Sequence, residues 1–204
     1  MTGSHIRAVA FDCFGTLLHI GAPTNPWRSL LSEAHRQPGG HMLDPRREPI
    51  PTIEAFAAAC GTKFRPEWRR DLDRELASIE LVPEALAVLG RLRAAGFWFA
   101  LASNLASAYV EPALRLLGGH VDVTCFSCDA DVRAVKPEGA FFAALQNRFG
   151  LPAEDILMVG DSLTSDVRGA GAAGLPALHL VPGGAPGPGR ISRLADVPAL
   201  FDLA

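Results

Sequence analysis

Ile6-Arg7-Ala8-Val9-Ala10-Phe11-Asp12-Cys13-Phe14-Gly15-Thr16 is the stretch on which the fold turns. Its opening residues are apolar apart from Arg7, as in a strand buried on both faces, and the run stops abruptly at Asp12, with a glycine three residues further on. Such a strand delivers Asp12 to its carboxyl end. The same unit recurs after Leu81, now with helices between the strands. Residues 83–95 read as a helix with Leu86, Leu89 and Leu92 on one face and Gly96 beyond it, and 97–102 as an apolar strand ending at Ser103-Asn104. A helix over 108–117, a strand over 121–126, a loop carrying Lys136-Pro137 and a helix over 138–149 follow. Residues 156–159 form the next strand, which ends in Gly160-Asp161-Ser162. A helix over 165–173, stopped by Gly174, and a strand over 177–181 complete the alternation. This order predicts an α/β fold, a Rossmann-like, doubly wound and mostly parallel sheet covered by helices on both faces.

The intervening segment has a different texture. Pro23, Pro26, Pro38, Pro45, Pro49 and Pro51 break it into loops around a short helix near 27–35. Thr52 is placed to cap a helix running to Cys60, and Pro66 opens a charged helix to about Ile79 in which Trp68, Leu72, Leu76 and Ile79 recur at helical spacing. Arg69, Arg70, Asp71, Asp73, Arg74 and Glu75 of that helix are expected on its solvated face. The division expected is a core of 1–19 and 82–204 with a small helical cap insert of 20–81. Residues 183–189 read as a flexible Gly/Pro tail, with a short closing helix near 194–201.

The 204 residues suffice for one domain with an insert, and 49% apolar against 20% charged residues allow a sizeable core. Nineteen Lys and Arg against 22 Asp and Glu, a formal charge of −3, provide no basic stripe for a polyanion, so no nucleic-acid partner is expected. The long uncharged stretch from Gly169 to Gly189 contains eleven Gly or Pro among its 21 residues, which excludes a membrane-spanning helix. Four cysteines with a lone Cys125-x-x-Cys128 read as reduced thiols, which together with the missing signal peptide points to a cytoplasmic protein. The six histidines lack metal-ligand spacing, and Trp27, Trp68 and Trp98 are expected to pack rather than to stack on bases.

Parallel sheets bind ligands beyond the carboxyl ends of their strands. Asp12, Ser103, Asn104 and Asp161 all fall at such ends, and Lys136 lies in a loop able to reach the same edge. Two carboxylates from separate strands are hard oxygen donors suited to Mg²⁺, and either a metal or Lys136 must offset their repulsion. Ser103, Asn104 and Lys136 provide donors for a phosphoryl oxygen, and a carboxylate in that position can act as a nucleophile.

Taken in order, Asp12-Cys13-Phe14-Gly15-Thr16-Leu17-Leu18, Ser103-Asn104, Lys136-Pro137 and Gly160-Asp161-Ser162 through Asp166 resemble the four motifs of the haloacid dehalogenase superfamily, across nearly the whole chain. The resemblance implies a hydrolase acting on a small molecule. It makes Asp12 the nucleophile, with Asp12, the Phe14 carbonyl, Asp161 and Asp166 around a Mg²⁺ ion. Ser103, Asn104, Thr16 and Lys136 become substrate-binding or loop-supporting residues, and Lys136 also orients the nucleophile. Oligomeric state is left open.

One residue departs from the pattern. Superfamily phosphatases usually carry a second aspartate two residues after the nucleophile, where this chain has Phe14. Losing a positioned acid/base costs about 10²- to 10⁴-fold in rate. Phenylalanine there resembles the metal-free 2-haloacid dehalogenases, which need an arginine for the substrate carboxylate; Arg28, Arg46 and Arg47 are the candidates. Asp161 reads instead like a Mg²⁺-dependent phosphohydrolase, because an acidic pair in a metal-free site is costly. The leading reading is therefore a Mg²⁺-dependent phosphohydrolase with weakened activity or a preference for good leaving groups. The alternatives are a dehalogenase-type hydrolase and a catalytically silent protein that binds a phosphorylated ligand or a protein partner.

Overall fold

The computed structural model describes residues 5–202. Residues 1–4 and 203–204, the ends of the expected core segments, lie outside the described residues. Six strands form one sheet: β1 (Ala8–Phe11), β4 (Trp98–Ser103), β5 (Val123–Phe126), β6 (Ile156–Gly160), β7 (Ala177–Leu180) and β8 (Arg190–Ile191). They are hydrogen-bonded in the order β5-β4-β1-β6-β7-β8, every pair parallel. β1 is central, with Phe11 level with Leu101 of β4 and Val159 of β6. That register sets the residues after three different strands side by side. The sheet is thus the doubly wound α/β architecture that the alternating pattern predicts.

Side-chain size explains how the layers fit. Ala8, Ala10, Ala100 and Ala102 face one side of the sheet, where the bulky Phe141, Phe142 and Leu145 of α6 (Gly139–Phe149) fill the space. Val9, Phe11, Phe99 and Leu101 face the other side, against α4 (Ala85–Ala94) and α5 (Val110–Leu117). On α4 the buried face is Ala85, Val88, Leu89 and Leu92, so the expected stripe loses Leu86, which is 38% exposed. Trp98 is likewise about half exposed at the start of β4 rather than packed, and the four cysteines are free and buried.

Between β1 and α4 the chain forms α1 (Pro26–Arg36), α2 (Ile53–Ala59) and α3 (Pro66–Ala77). Thr52 caps α2 by accepting from the Ala55 N–H at 3.2 Å. A two-stranded antiparallel ribbon of β2 (Leu18–Ile20) and β3 (Ile79–Leu81) closes the base of this insert. The ribbon corrects the expectation that α3 continues to Ile79, because Ile79 pairs across to Ile20 instead. Leu30, Phe56, Trp68 and Leu72 of the insert join the same apolar cluster as Phe11 and Phe99. The expected 165–173 helix is a π-helical turn (Leu163–Arg168) followed by the short α7 (Gly169–Ala172), and the 194–201 helix is two 3-10 turns. Among the described residues no helix is long and apolar enough to cross a membrane.

Candidate active site

The carboxyl edge of β1, β4 and β6 gathers the charged residues. Asp12 follows β1, and Asp161 and Asp166 follow β6; one carboxylate oxygen from each lies within 4.8 Å of the others. Lys136 enters from the β5–α6 loop, and its buried Nζ donates to Asp12 Oδ1 at 2.7 Å, Asp166 Oδ1 at 2.6 Å and the Ala102 carbonyl at 2.6 Å. Three contacts use all three ammonium protons, which fixes the amine over the ends of β1 and β4. Burial pulls the Lys136 pKa down, but the Asp12 and Asp166 carboxylates outweigh it and hold the amine above the ordinary lysine range.

The three carboxylates are not equivalent. Asp166 is buried; its Oδ1 accepts from Lys136 and its Oδ2 from the Ser162 N–H at 2.9 Å. Asp161 is open to solvent, with its backbone carbonyl 2.9 Å from His179 Nε2. Burial raises the Asp161 pKa, and the neighbouring Asp12 and Asp166 charges raise it further. Asp166 is also pushed up by burial, against the pull of Lys136. With all three ionised, Lys136 balances one charge and leaves two negative charges in excess. That excess, the hard oxygen donors and the open face of Asp161 fit a divalent cation held by Asp12 and Asp161. Asp166 already has a donor on each oxygen, so it supports Lys136 and the turn after β6.

Two glycines make this approach possible. Gly15 has φ +89°, and a Cβ there would stand 2.3 Å from Asp161 Oδ2; a Cβ on Gly160 would stand 2.2 Å from Asp166 Oδ2. Any larger residue would drive the carboxylates out of the cluster.

The remaining candidates take other positions. Ser103 ends β4, is buried, and sets its hydroxyl against the Cys13 thiol, whose pKa is pushed far up by burial. Asn104 donates its Nδ2 to the Lys136 carbonyl at 2.9 Å and accepts the Lys136 N–H on Oδ1 at 2.8 Å, so its amide holds the Lys136 loop. Thr16 is fully buried, and its hydroxyl has no hydrogen-bond partner among the described residues. The structure therefore brings Asp12, Lys136, Asp161 and Asp166 together but commits the Asn104 amide to the Lys136 backbone and buries the Thr16 hydroxyl. Phe14 packs its ring edge-on against Tyr109 with centroids 5.8 Å apart. Arg46 is paired with Asp44 and Arg47 with Glu138, while Arg28 lines clefts on the insert.

A buried pair beside Phe14 was not anticipated. Glu75 of α3 is 4% exposed, which corrects its assignment to the solvated face. Its Oε2 accepts from Tyr109 Oη at 2.5 Å, and its Oε1 accepts from the Thr24 and Asn25 N–H groups at 2.5 and 2.6 Å. Trp27 Nε1 donates to the same Tyr109 oxygen at 3.3 Å. The signal was present: Glu75 falls three residues after Leu72 and seven after Trp68, on the buried stripe of the helix.

Over residues 6–174 the chain matches the family described as haloacid dehalogenase-like hydrolase. It is 34% identical over 187 residues to the phosphoglycolate phosphatase of Rhodospirillum rubrum, covering 83% of this chain and 77% of that protein. It is 35% identical over 104 residues to the phosphoglycolate phosphatase of Yersinia pestis, where the match spans 51% of this chain but only 44% of the relative. Among solved structures, an L-2-haloacid dehalogenase superimposes with a TM-score of 0.70 at 23% identity, over 97% of this chain and 99% of that one, a likeness of fold.

Proposed function

The chain belongs to the haloacid dehalogenase-like hydrolase family, and we propose that within it the protein is a Mg²⁺-dependent phosphohydrolase that attacks a small phosphorylated substrate through Asp12. One observation carries the reading: Lys136 engages a single oxygen of Asp12, in a cluster that gathers three carboxyl groups around one ammonium. A metal-free site would have to hold that cluster with no further compensating ion.

In this reading Asp12 Oδ2 attacks phosphorus while Lys136, anchored by Ala102 and Asp166, holds the other oxygen. The attack produces an aspartyl phosphate and frees the leaving group. Water then attacks the phosphorus, its proton passes to solvent, and the carboxylate of Asp12 is restored. Asp12 and Asp161, with the Phe14 carbonyl, would hold the Mg²⁺, which when bound supplies positive charge opposite the phosphoryl oxygens. Lys136, whose three protons are engaged, orients Asp12; Ser103 at the end of β4 is the residue proposed to face the substrate, while Asn104 and Thr16 support the loops. The insert of residues 20–81 serves as the cap, and the protein acts in the cytoplasm on a small molecule, without nucleic acid or membrane.

The test is turnover of an activated aryl phosphate with Mg²⁺, expected in the native protein and abolished in Asp12→Asn. Phosphoglycolate, named for the curated relatives, belongs in the same panel. Absence of turnover with any phosphate ester in Mg²⁺ overturns the reading. A second reading, dehalogenase-type hydrolysis at carbon, is favoured only by Phe14, and halide release from a 2-haloalkanoate in the presence of chelator would select it.

A further inference from the structure

Beside the carboxylate cluster lies a cleft of about 300 Å³, at the low end of the range for small-molecule sites. Phe14, two residues beyond Asp12, forms one wall, with Ile20, Trp27, Leu105 and Tyr109 forming others. Every polar side chain in its lining has a partner within the protein. The Asn104 amide is bonded at both ends to the Lys136 backbone. The Tyr109 hydroxyl donates to Glu75 and accepts from Trp27. Arg46 directs Nε and Nη2 to Asp44 at 2.9 and 2.8 Å. The lining includes no carboxylic acid, histidine or thiol.

A polar leaving group entering this cleft would lose its water and find few groups to replace it, whereas an apolar ring would lose nothing. An alkoxide leaving here would also find no acid to protonate it. We propose that the cleft seats the leaving group, and that this group is an aromatic ring whose oxygen departs as a stabilised anion, making the substrate an aryl or aroyl phosphate.

The proposal rests on the phosphohydrolase reading and adds the class of substrate. Asp12 Oδ2 forms the new bond to phosphorus, and the bond from phosphorus to the ring-bearing oxygen breaks. Its electron pair leaves on that oxygen as a phenolate or benzoate, which takes its proton, where it takes one, from water.

The experiment measures kcat/KM in Mg²⁺ for benzoyl phosphate, acetyl phosphate, a series of substituted phenyl phosphates and phosphoglycolate. Benzoyl and acetyl phosphate have leaving groups of similar acidity, so their ratio reads the cleft alone. Seating the ring should favour benzoyl phosphate by roughly ten- to a hundredfold. Among the phenyl phosphates the rate should fall steeply as the phenol becomes less acidic, and phosphoglycolate should lie about 10²- to 10⁴-fold below the best of them. Trp27→Ala should bring the benzoyl-to-acetyl ratio toward unity. If benzoyl phosphate is no better than acetyl phosphate, or phosphoglycolate matches the activated phenyl ester, the proposal fails while the phosphohydrolase reading stands. If none of these phosphates turns over, both fall.

Discussion

The ammonium of Lys136 donates to Asp12 Oδ1 across 2.7 Å, with the lysine side chain almost wholly withdrawn from water. The two residues stand 124 positions apart in the chain, and only the parallel register of β1, β4 and β5 brings them together. Removing the lysine leaves buried carboxylates without their cation. Lys136→Met is therefore expected to cost about 3–5 kcal/mol in urea denaturation, the range for one-sided loss of a buried ion pair. A loss under about 1 kcal/mol, typical of exposed pairs, would show that the contact does not hold the cluster together.

If Asp12 and Asp161 hold Mg²⁺ as proposed, the ion should stabilise the fold, because the unfolded chain lacks that site. At a hundred times its dissociation constant the gain is about 2.7 kcal/mol, read as a rise in Tm. Asp161→Asn should abolish most of that rise. A Tm indifferent to Mg²⁺ in the native protein would contradict the assignment of Asp12 and Asp161 as ligands.

Gly15→Ala should combine two penalties. At φ +89° the backbone disfavours any side chain, at roughly 1–3 kcal/mol, and the added Cβ would collide with the Asp161 carboxylate. The Mg²⁺-dependent rise in Tm should shrink with it. Gly39→Ala makes the comparison clean, because Gly39 has φ +79° but nothing within 4 Å of the added carbon. That variant should show the backbone cost alone and keep the full response to Mg²⁺.

Tyr109 is the only tyrosine in the chain, so the absorbance of its phenolate can be followed without interference from another. Burial raises its pKa well above the ordinary value, and the Glu75 carboxylate that accepts its proton raises it further. The folded state thus keeps the proton at a pH where the unfolded chain loses it. The resulting stability is present below the ordinary phenol value of about 10 and declines as the pH rises above it. Phenolate absorbance should appear only with alkaline unfolding. Ionisation near the ordinary value in the folded protein would disprove the buried pair, and Tyr109→Phe should lose less stability over that interval.

How much was legible in the sequence depends on the range of the interaction. Strand β1, the cap of α2 by Thr52 and the charged helix opened by Pro66 were readable because periodicity and capping involve residues within a turn or two of each other. The β2–β3 ribbon was not, because its strands are three residues each and lie about sixty residues apart. Ile79 therefore reads as the last apolar residue of a helix until its partner Ile20 is known. Glu75 shows the same limit from the other side: its spacing places it on the buried face, but its charge argues for water until Tyr109 and the Thr24 and Asn25 amides are seen to satisfy it.

By itself the sequence determined the alternation of strands and helices, and with it the edge at which Asp12, Ser103, Lys136 and Asp161 had to be sought. Hydrophobic period and chain-breaking residues are local properties, and they survive without coordinates. Only the tertiary structure decided what each polar group does there: that the Asn104 amide faces the Lys136 backbone, that Asp166 has a donor on both oxygens, and that the cleft beside Phe14 has its polar side chains already paired. The physical reason is that a donor or acceptor has several possible partners of similar energy. Which one it takes depends on distances of about 3 Å between segments far apart in the chain, and those distances exist only after the layers have packed.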